Sequence, residues 1–148
     1  MPSWTIATEC VIDAPAPRIW RILCEAKDYT RWNPFIQELQ GSLRVGARIT
    51  FRFDIRGLRA WASARVLVAR DERELRWAGH LLFDALFRAE HYHLIEPRPG
   101  SGVNFRHGEI FSGALTPLVR VLLRRKGPPV YEAVNAALKR RAENGTEP

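Results

Sequence analysis

The hydrophobic period of this chain changes once, at Gly113, and that change governs what it folds into. From Phe35 to Phe111 apolar residues recur mostly at every second position, the spacing of half-buried strands; after Gly113 they recur at three and four, the spacing of a helix. Ile49, Phe51, Phe53 and Ile55 alternate with Arg48, Thr50, Arg52, Asp54 and Arg56, and Leu75, Trp77 and Gly79 alternate with Glu74, Arg76 and Ala78. Val103, Phe105, His107, Glu109 and Phe111 share a face opposite Asn104, Arg106 and Gly108. Residues 60–69 are strand-like with both faces partly apolar, so no inward face is assigned to them. Residues 3–12 add a strand, Pro15 to Cys24 a helix with an Ile19, Trp20, Ile22 and Leu23 stripe, and Asp28 to Pro34 a turn or one-turn helix that the proline closes.

Beyond Gly113, Leu115, Leu118, Val119 and Leu122, then Tyr131, Val134 and Leu138, form the apolar stripe of one long helix or two shorter ones. Gly127-Pro128-Pro129 is expected to break or kink it, because proline lacks the helical donor and clashes with the preceding turn. The tail from Glu143 is polar and expected to fray. The sum is an α+β domain spanning 1–148, a curved seven-stranded antiparallel sheet wrapped around a long C-terminal helix, with one or two short helices after the first strand.

Composition narrows the function classes. At 148 residues, 46% hydrophobic and 26% charged, the chain buries roughly two thirds of its unfolded surface in one core. No apolar run approaches the roughly 18 residues of a membrane span, and Met1-Pro2-Ser3-Trp4 does not read as the start of a secretory signal. A cytoplasmic protein without stable membrane insertion is expected. Cys10 and Cys24 form no CxxC pair and read as reduced thiols. The +7 charge comes from 20 Arg and only 3 Lys, scattered except for Arg120, Arg124, Arg125 and Lys126, then Lys139, Arg140 and Arg141. These read as a solvated helix face, with docking on an acidic partner or membrane as an alternative and no nucleic acid as partner. There is no GxSxG and no glycine-rich phosphate loop, which disfavours nucleotide chemistry.

Titratable groups converge on one inward face. If Arg98-Pro99-Gly100-Ser101-Gly102 is a hairpin loop, Pro97 faces Val103, and counting back sets His93 opposite His107 and His91 opposite Glu109. Opposed Cβ atoms lie about 4.5–5.5 Å apart, so three readings stand side by side. His91 and Glu109 hydrogen-bond across the strands to satisfy buried polar groups; or one of them serves as acid or base on a bound carbonyl compound; or the three imidazoles and the carboxylate hold a metal. The reading adopted has no metal and no cofactor, and leaves His91 and Glu109 as the catalytic candidates.

Several segments resemble the SRPBCC superfamily, the helix-grip proteins that include START lipid-transfer domains and polyketide cyclases, and within it a small bacterial subgroup. They are Ile12-Asp13-Ala14-Pro15, Trp32-Asn33-Pro34-Phe35-Ile36, Gly41 through Val45-Gly46, Leu75-Arg76-Trp77 with Gly79, Glu90-His91, His107 through Gly113, and Asn135 through Lys139. His93 stands where that subgroup has an aromatic residue. The resemblance runs from about Ile6 to Glu143 and implies a cavity between sheet and C-terminal helix for a small hydrophobic molecule: a lipid, polyketide or isoprenoid-like compound. The alternative it implies is a cyclase- or aromatase-like enzyme. Parity independently gives the expected lining: Phe53, Trp77, His91, His93, Phe105, His107 and Glu109 from the sheet, facing Leu118, Val119, Leu122, Tyr131 and Val134 from the helix. Leu81 through Phe87, an apolar segment between strands, is expected to fold over the cavity mouth.

Overall fold

Each period-two run is a strand in the computed structural model, which describes residues 1–145. The strands are β1 (Ser3–Ile12), β2 (Ile36–Gln40), β3 (Arg48–Ile55), β4 (Leu58–Arg70), β5 (Glu74–His80), β6 (Arg88–Pro97) and β7 (Val103–Ser112). They form one antiparallel sheet in the order β1-β7-β6-β5-β4-β3-β2. Helices α1 (Ala16–Cys24) and α2 (Tyr29–Trp32) fill the connection from β1 to β2, and α3 (Thr116–Leu123) and α4 (Gly127–Glu143) follow β7.

Local chemistry explains the joints. Asn33 Oδ1 accepts hydrogen bonds from the backbone N–H groups of Phe35 and Ile36, both at 2.9 Å, which ends α2 and launches β2. The expected break in the final helical stripe falls at Arg124–Lys126. Gly127-Pro128-Pro129 then opens α4, where missing proline donors cost nothing because first-turn N–H groups have no helical acceptor. Glu143 still belongs to α4 and accepts from Lys139 and the backbone N–H of Asp13, so it is not frayed; the last three residues of the tail lie outside the described residues.

The ambiguous strand has a physical cause. In β4 a bulge separates Val66, opposite Trp77, from Val68, opposite Arg76. Inward parity therefore switches within the strand, from Ala64 and Val66 to Ala69, and both faces carry apolar residues. Next to it, a Cβ on Gly79 would lie 2.4 Å from the Ser63 carbonyl oxygen, so the backbones of β4 and β5 approach there as only glycine allows.

Helix α4 lays Val130, Tyr131, Val134, Leu138 and Ala142 into the core against the β1 side of the sheet. Helix α3 sits apart from it, burying Leu123 and half-burying Val119 while Leu118, Val121 and Leu122 stay exposed. The helical stripe thus divides between two helices that do different things.

Candidate functional site

The register of β6 and β7 is the one the hairpin count predicts. Pro97 pairs with Val103, His93 with His107 and His91 with Glu109, and Trp77 on β5 continues the ladder beside His91. The inward row thus runs Trp77, His91, Glu109. On either side of it the molecule has two different interiors.

The first is closed. His91, His93 and His107 are 2%, 2% and 0% exposed, with Trp77 against His91 and the three imidazoles against one another at ring-centroid distances of 4.7 to 5.0 Å. Their hydrogen bonds fix their tautomers. His107 Nδ1 lies 2.9 Å from Asn135 Oδ1, an acceptor, because the Asn135 Nδ2 amide donates to Thr8 Oγ1 at 2.8 Å. His107 therefore carries its proton on Nδ1, and its bare Nε2 accepts from His91 Nε2–H at 2.7 Å. His93 Nδ1–H donates to the Leu75 carbonyl at 3.2 Å. Burial, with the neighbouring imidazoles adding to it, holds His91 and His93 well below the ordinary histidine range, and burial takes His107 down to about 4. All three rings are neutral at pH 7.

One expectation is corrected here. The strands oppose His91 and Glu109, but His91 Nδ1 and Glu109 Oε2 stand 3.9 Å apart and do not hydrogen-bond. The reason is Tyr131, whose hydroxyl comes from α4 and donates to Glu109 Oε2, while His91 turns its Nε2 to His107. With His91 neutral, the 3.9 Å approach is no ion pair. A nitrogen from each of the three histidines lies within 4.8 Å of the others, the arrangement from which a metal reading starts. Yet the rings of His93 and His107 are within 15° of parallel, and the 2.7 Å contact is shorter than the roughly 3.3 Å that separates two nitrogens on one tetrahedral ion. The cluster as it stands is a hydrogen-bonded stack.

The second interior is open. A cavity of about 490 Å³ lies between β3, β4 and β5 and the underside of α3. Phe35, Phe51, Phe53, Trp77, Phe87 and Phe111 supply aromatic walls, Val119, Leu122 and Leu123 form the roof, and Leu58, Trp61 and Leu81 stand at the rim. Small residues at Ala62, Ala64 and Gly79 leave the space that larger ones would fill. Glu109 is the acidic residue on this lining. Its side chain is 13% exposed, and burial pushes its carboxyl up to about 8, so it is protonated at neutral pH. A neutral carboxyl whose Oε2 accepts from Tyr131 retains an O–H to offer. Trp77 Nε1–H, across the His91 ring, is buried without an acceptor among the described residues.

Of the residues expected to line the space, Phe53, Trp77, Glu109, Val119 and Leu122 do so. His91, His93, Phe105, His107, Tyr131 and Val134 lie instead in the closed interior under α4, and Leu118 is exposed on α3. Sequence reasoning passed over Asn135 and Thr8. The signal for Asn135 was a polar residue inside the stripe Tyr131, Val134, Leu138, a position that demands a buried partner.

Residues 3–143 match the family model described as polyketide cyclase / dehydrase and lipid transport. Among solved structures the chain is similar to a START superfamily protein from Mycobacterium smegmatis, at 18% identity and TM-score 0.74, over 96% of this chain and 99% of that one. The Zhui aromatase/cyclase from Streptomyces sp. R1128 superposes with TM-score 0.71 at 11% identity, over 95% and 96% of the two chains. Norcoclaurine synthase from Thalictrum flavum does so with TM-score 0.71 at 12% identity, over 94% and 92%. No curated protein matches the chain by sequence. At such identities the structures share the fold alone, and it is the family match over nearly the whole length that decides: the chain belongs to the polyketide cyclase / dehydrase and lipid transport family, with the START-like helix-grip fold of the SRPBCC proteins.

Proposed function

We propose that this protein binds a small hydrophobic ligand, a lipid, polyketide or isoprenoid-like compound, in the cavity beneath α3, with the ligand's carbonyl or hydroxyl oxygen directed to Glu109. The observation that carries this reading is an aromatic cavity of about 490 Å³ with a single half-buried, neutral carboxyl on its lining. That volume falls within the roughly 300–1,000 Å³ of small-molecule pockets. An apolar ligand gains from leaving water in proportion to the area it buries, and its oxygen finds a donor in Glu109 on the cavity wall. Organic extraction and mass spectrometry of the purified chain tests this. The expected result is a co-purified or readily exchanged apolar compound that changes Trp fluorescence, since Trp61 and Trp77 line the cavity. Failure to bind a broad panel of lipids and polyketides contradicts it.

A second reading is favoured by the hydrogen bonds behind Glu109. A protonated carboxyl beside a tyrosine hydroxyl, facing a neutral imidazole Nδ1 at 3.9 Å, is an acid poised for a ligand carbonyl, with His91 available as base. Under this cyclase-like reading Glu109→Gln abolishes turnover with the fold intact, whereas His91→Ala abolishes it and also removes a buried ring and strands the His107 acceptor. Glu109→Gln would then still bind the ligand, which separates chemistry from carriage.

A further inference from the structure

The rim of the cavity is apolar on the side that faces solvent. Leu82 is 78% exposed and takes φ 62, a left-handed conformation that leucine avoids and that Asn and Asp tolerate best. The segment holding it is not loose. Leu81 N–H donates to Phe87 O, Leu86 N–H to Phe83 O, and Asp84 is gripped by His80 and Arg88. Phe83 beside it is also exposed. The same segment is tied to the start of α3 by hydrogen bonds from Ala114 and Leu115 to the carbonyls of Ala85 and Leu86, at 3.0 Å each. Helix α3 adds the exposed Leu118 and Leu122, the latter on the cavity lining, while its exposed Val121 turns to a second groove beside β1. Exposed apolar side chains on the two segments that border a cavity mouth mark an interaction surface.

Charge selects the occupant. Arg120, Arg124, Arg125 and Lys126, on α3 and the turn after it, are exposed and have no ion-pair partner among the described residues. No Asp or Glu occurs from Ile110 through Tyr131. Projecting leucines and a phenylalanine flanked by unpaired cations match the two layers of an anionic bilayer, acyl chains beneath phosphate headgroups. We infer that the cavity mouth docks on an anionic lipid bilayer, with Leu82, Phe83, Leu118 and Leu122 entering the interface and the α3–α4 cations meeting the headgroups. A ligand then passes between bilayer and cavity without crossing water. Only that last consequence rests on the ligand-binding reading.

Co-sedimentation of the full chain with phosphatidylcholine vesicles, with and without roughly one-third phosphatidylglycerol, tests the docking. Binding is expected to the anionic vesicles, and to weaken as salt shortens the Debye length from about 10 Å to about 3 Å. Arg124→Glu with Arg125→Glu should weaken it about tenfold or more. Leu82→Asn should weaken it about fivefold while leaving the melting temperature unchanged or higher, because asparagine accepts the backbone that leucine resists. Equal binding to neutral and anionic vesicles, no binding, or no effect of Leu82→Asn would overturn the proposal. So would a wild-type dimer that Leu82→Asn dissolves without any vesicle binding, which would make the patch a self-association surface. An apolar compound that still co-purifies when vesicle binding is absent shows that the docking has failed and the ligand-binding reading has not.

Discussion

Under α4 and under α3 the same sheet builds opposite interiors from the same kinds of residue. Beneath α4 the polar groups of His91, His107, Asn135 and Thr8 are joined in one chain of hydrogen bonds, and aromatic rings fill the rest. Beneath α3 the aromatic rings stand around a space, and the Glu109 carboxyl is on its lining. The contrast teaches where to look for function: histidines that have satisfied one another hold the sheet to the helix, whereas a donor left beside a void is where a ligand is to be sought.

The largest effect should come from breaking the closed side. His107→Ala removes a fully buried ring and strands the His91 donor and the Asn135 acceptor, which predicts a loss of about 3–4 kcal/mol in urea unfolding. Asn135→Ala, which deprives His107 and Thr8 of partners, should cost about 2 kcal/mol. If either costs less than about 0.5 kcal/mol, the hydrogen-bond chain is not what holds α4 down.

Titration separates the two interiors by sign. The folded-state pKa of Glu109 is raised, from 4.5 to about 8, so its contribution is full below 4.5 and is lost as pH rises through 8. The histidines are depressed, so theirs is full above their ordinary value of 6.5 and is lost as pH falls below it, through about 4 for His107. Below 6.5 three histidines outweigh one carboxyl, and above it Glu109 acts alone. Stability should therefore peak near neutrality and fall by about 1.4 kcal/mol per pH unit on the alkaline side up to about pH 8. Glu109→Gln should abolish the alkaline fall and leave the acid one. Chemical unfolding across pH reads this directly, and an unchanged alkaline limb in the variant would show that Glu109 is already ionised.

The smallest effect on stability belongs to the open side. Leu122→Ser, at a residue 57% exposed on the cavity roof, should change unfolding by less than about 0.5 kcal/mol while weakening capture of an apolar dye. A loss above about 2 kcal/mol would mean that α3 is part of the core and not a cover.

Much of this was legible in the residues. Parity and the Arg98–Gly102 loop sufficed to set His91 opposite Glu109, because a hairpin register propagates by counting. Gly127-Pro128-Pro129 marked the division of the final helical stripe, since prolines that interrupt one helix suit the first turn of the next. What escaped was decided between distant elements. Opposition of His91 and Glu109 did not make a hydrogen bond, because Tyr131, from a helix 22 residues beyond Glu109, supplies a better placed donor. Leu118 and Val134 share a helical pattern in sequence, but the break gives α3 and α4 separate axes, and one residue ends in water and the other in the core. The β4 bulge likewise leaves no mark except two apolar faces.

The central claim is that binding belongs to the open interior and not to the histidine stack. Native mass spectrometry of the wild-type chain and of Ala62→Trp, which places an indole in the cavity while leaving α4 and its contacts untouched, tests it most directly. An apolar adduct is expected on the wild type and is expected to be lost from the variant, with unfolding of the two chains within about 1 kcal/mol. An adduct that persists when the cavity is filled would place binding elsewhere than in the open interior.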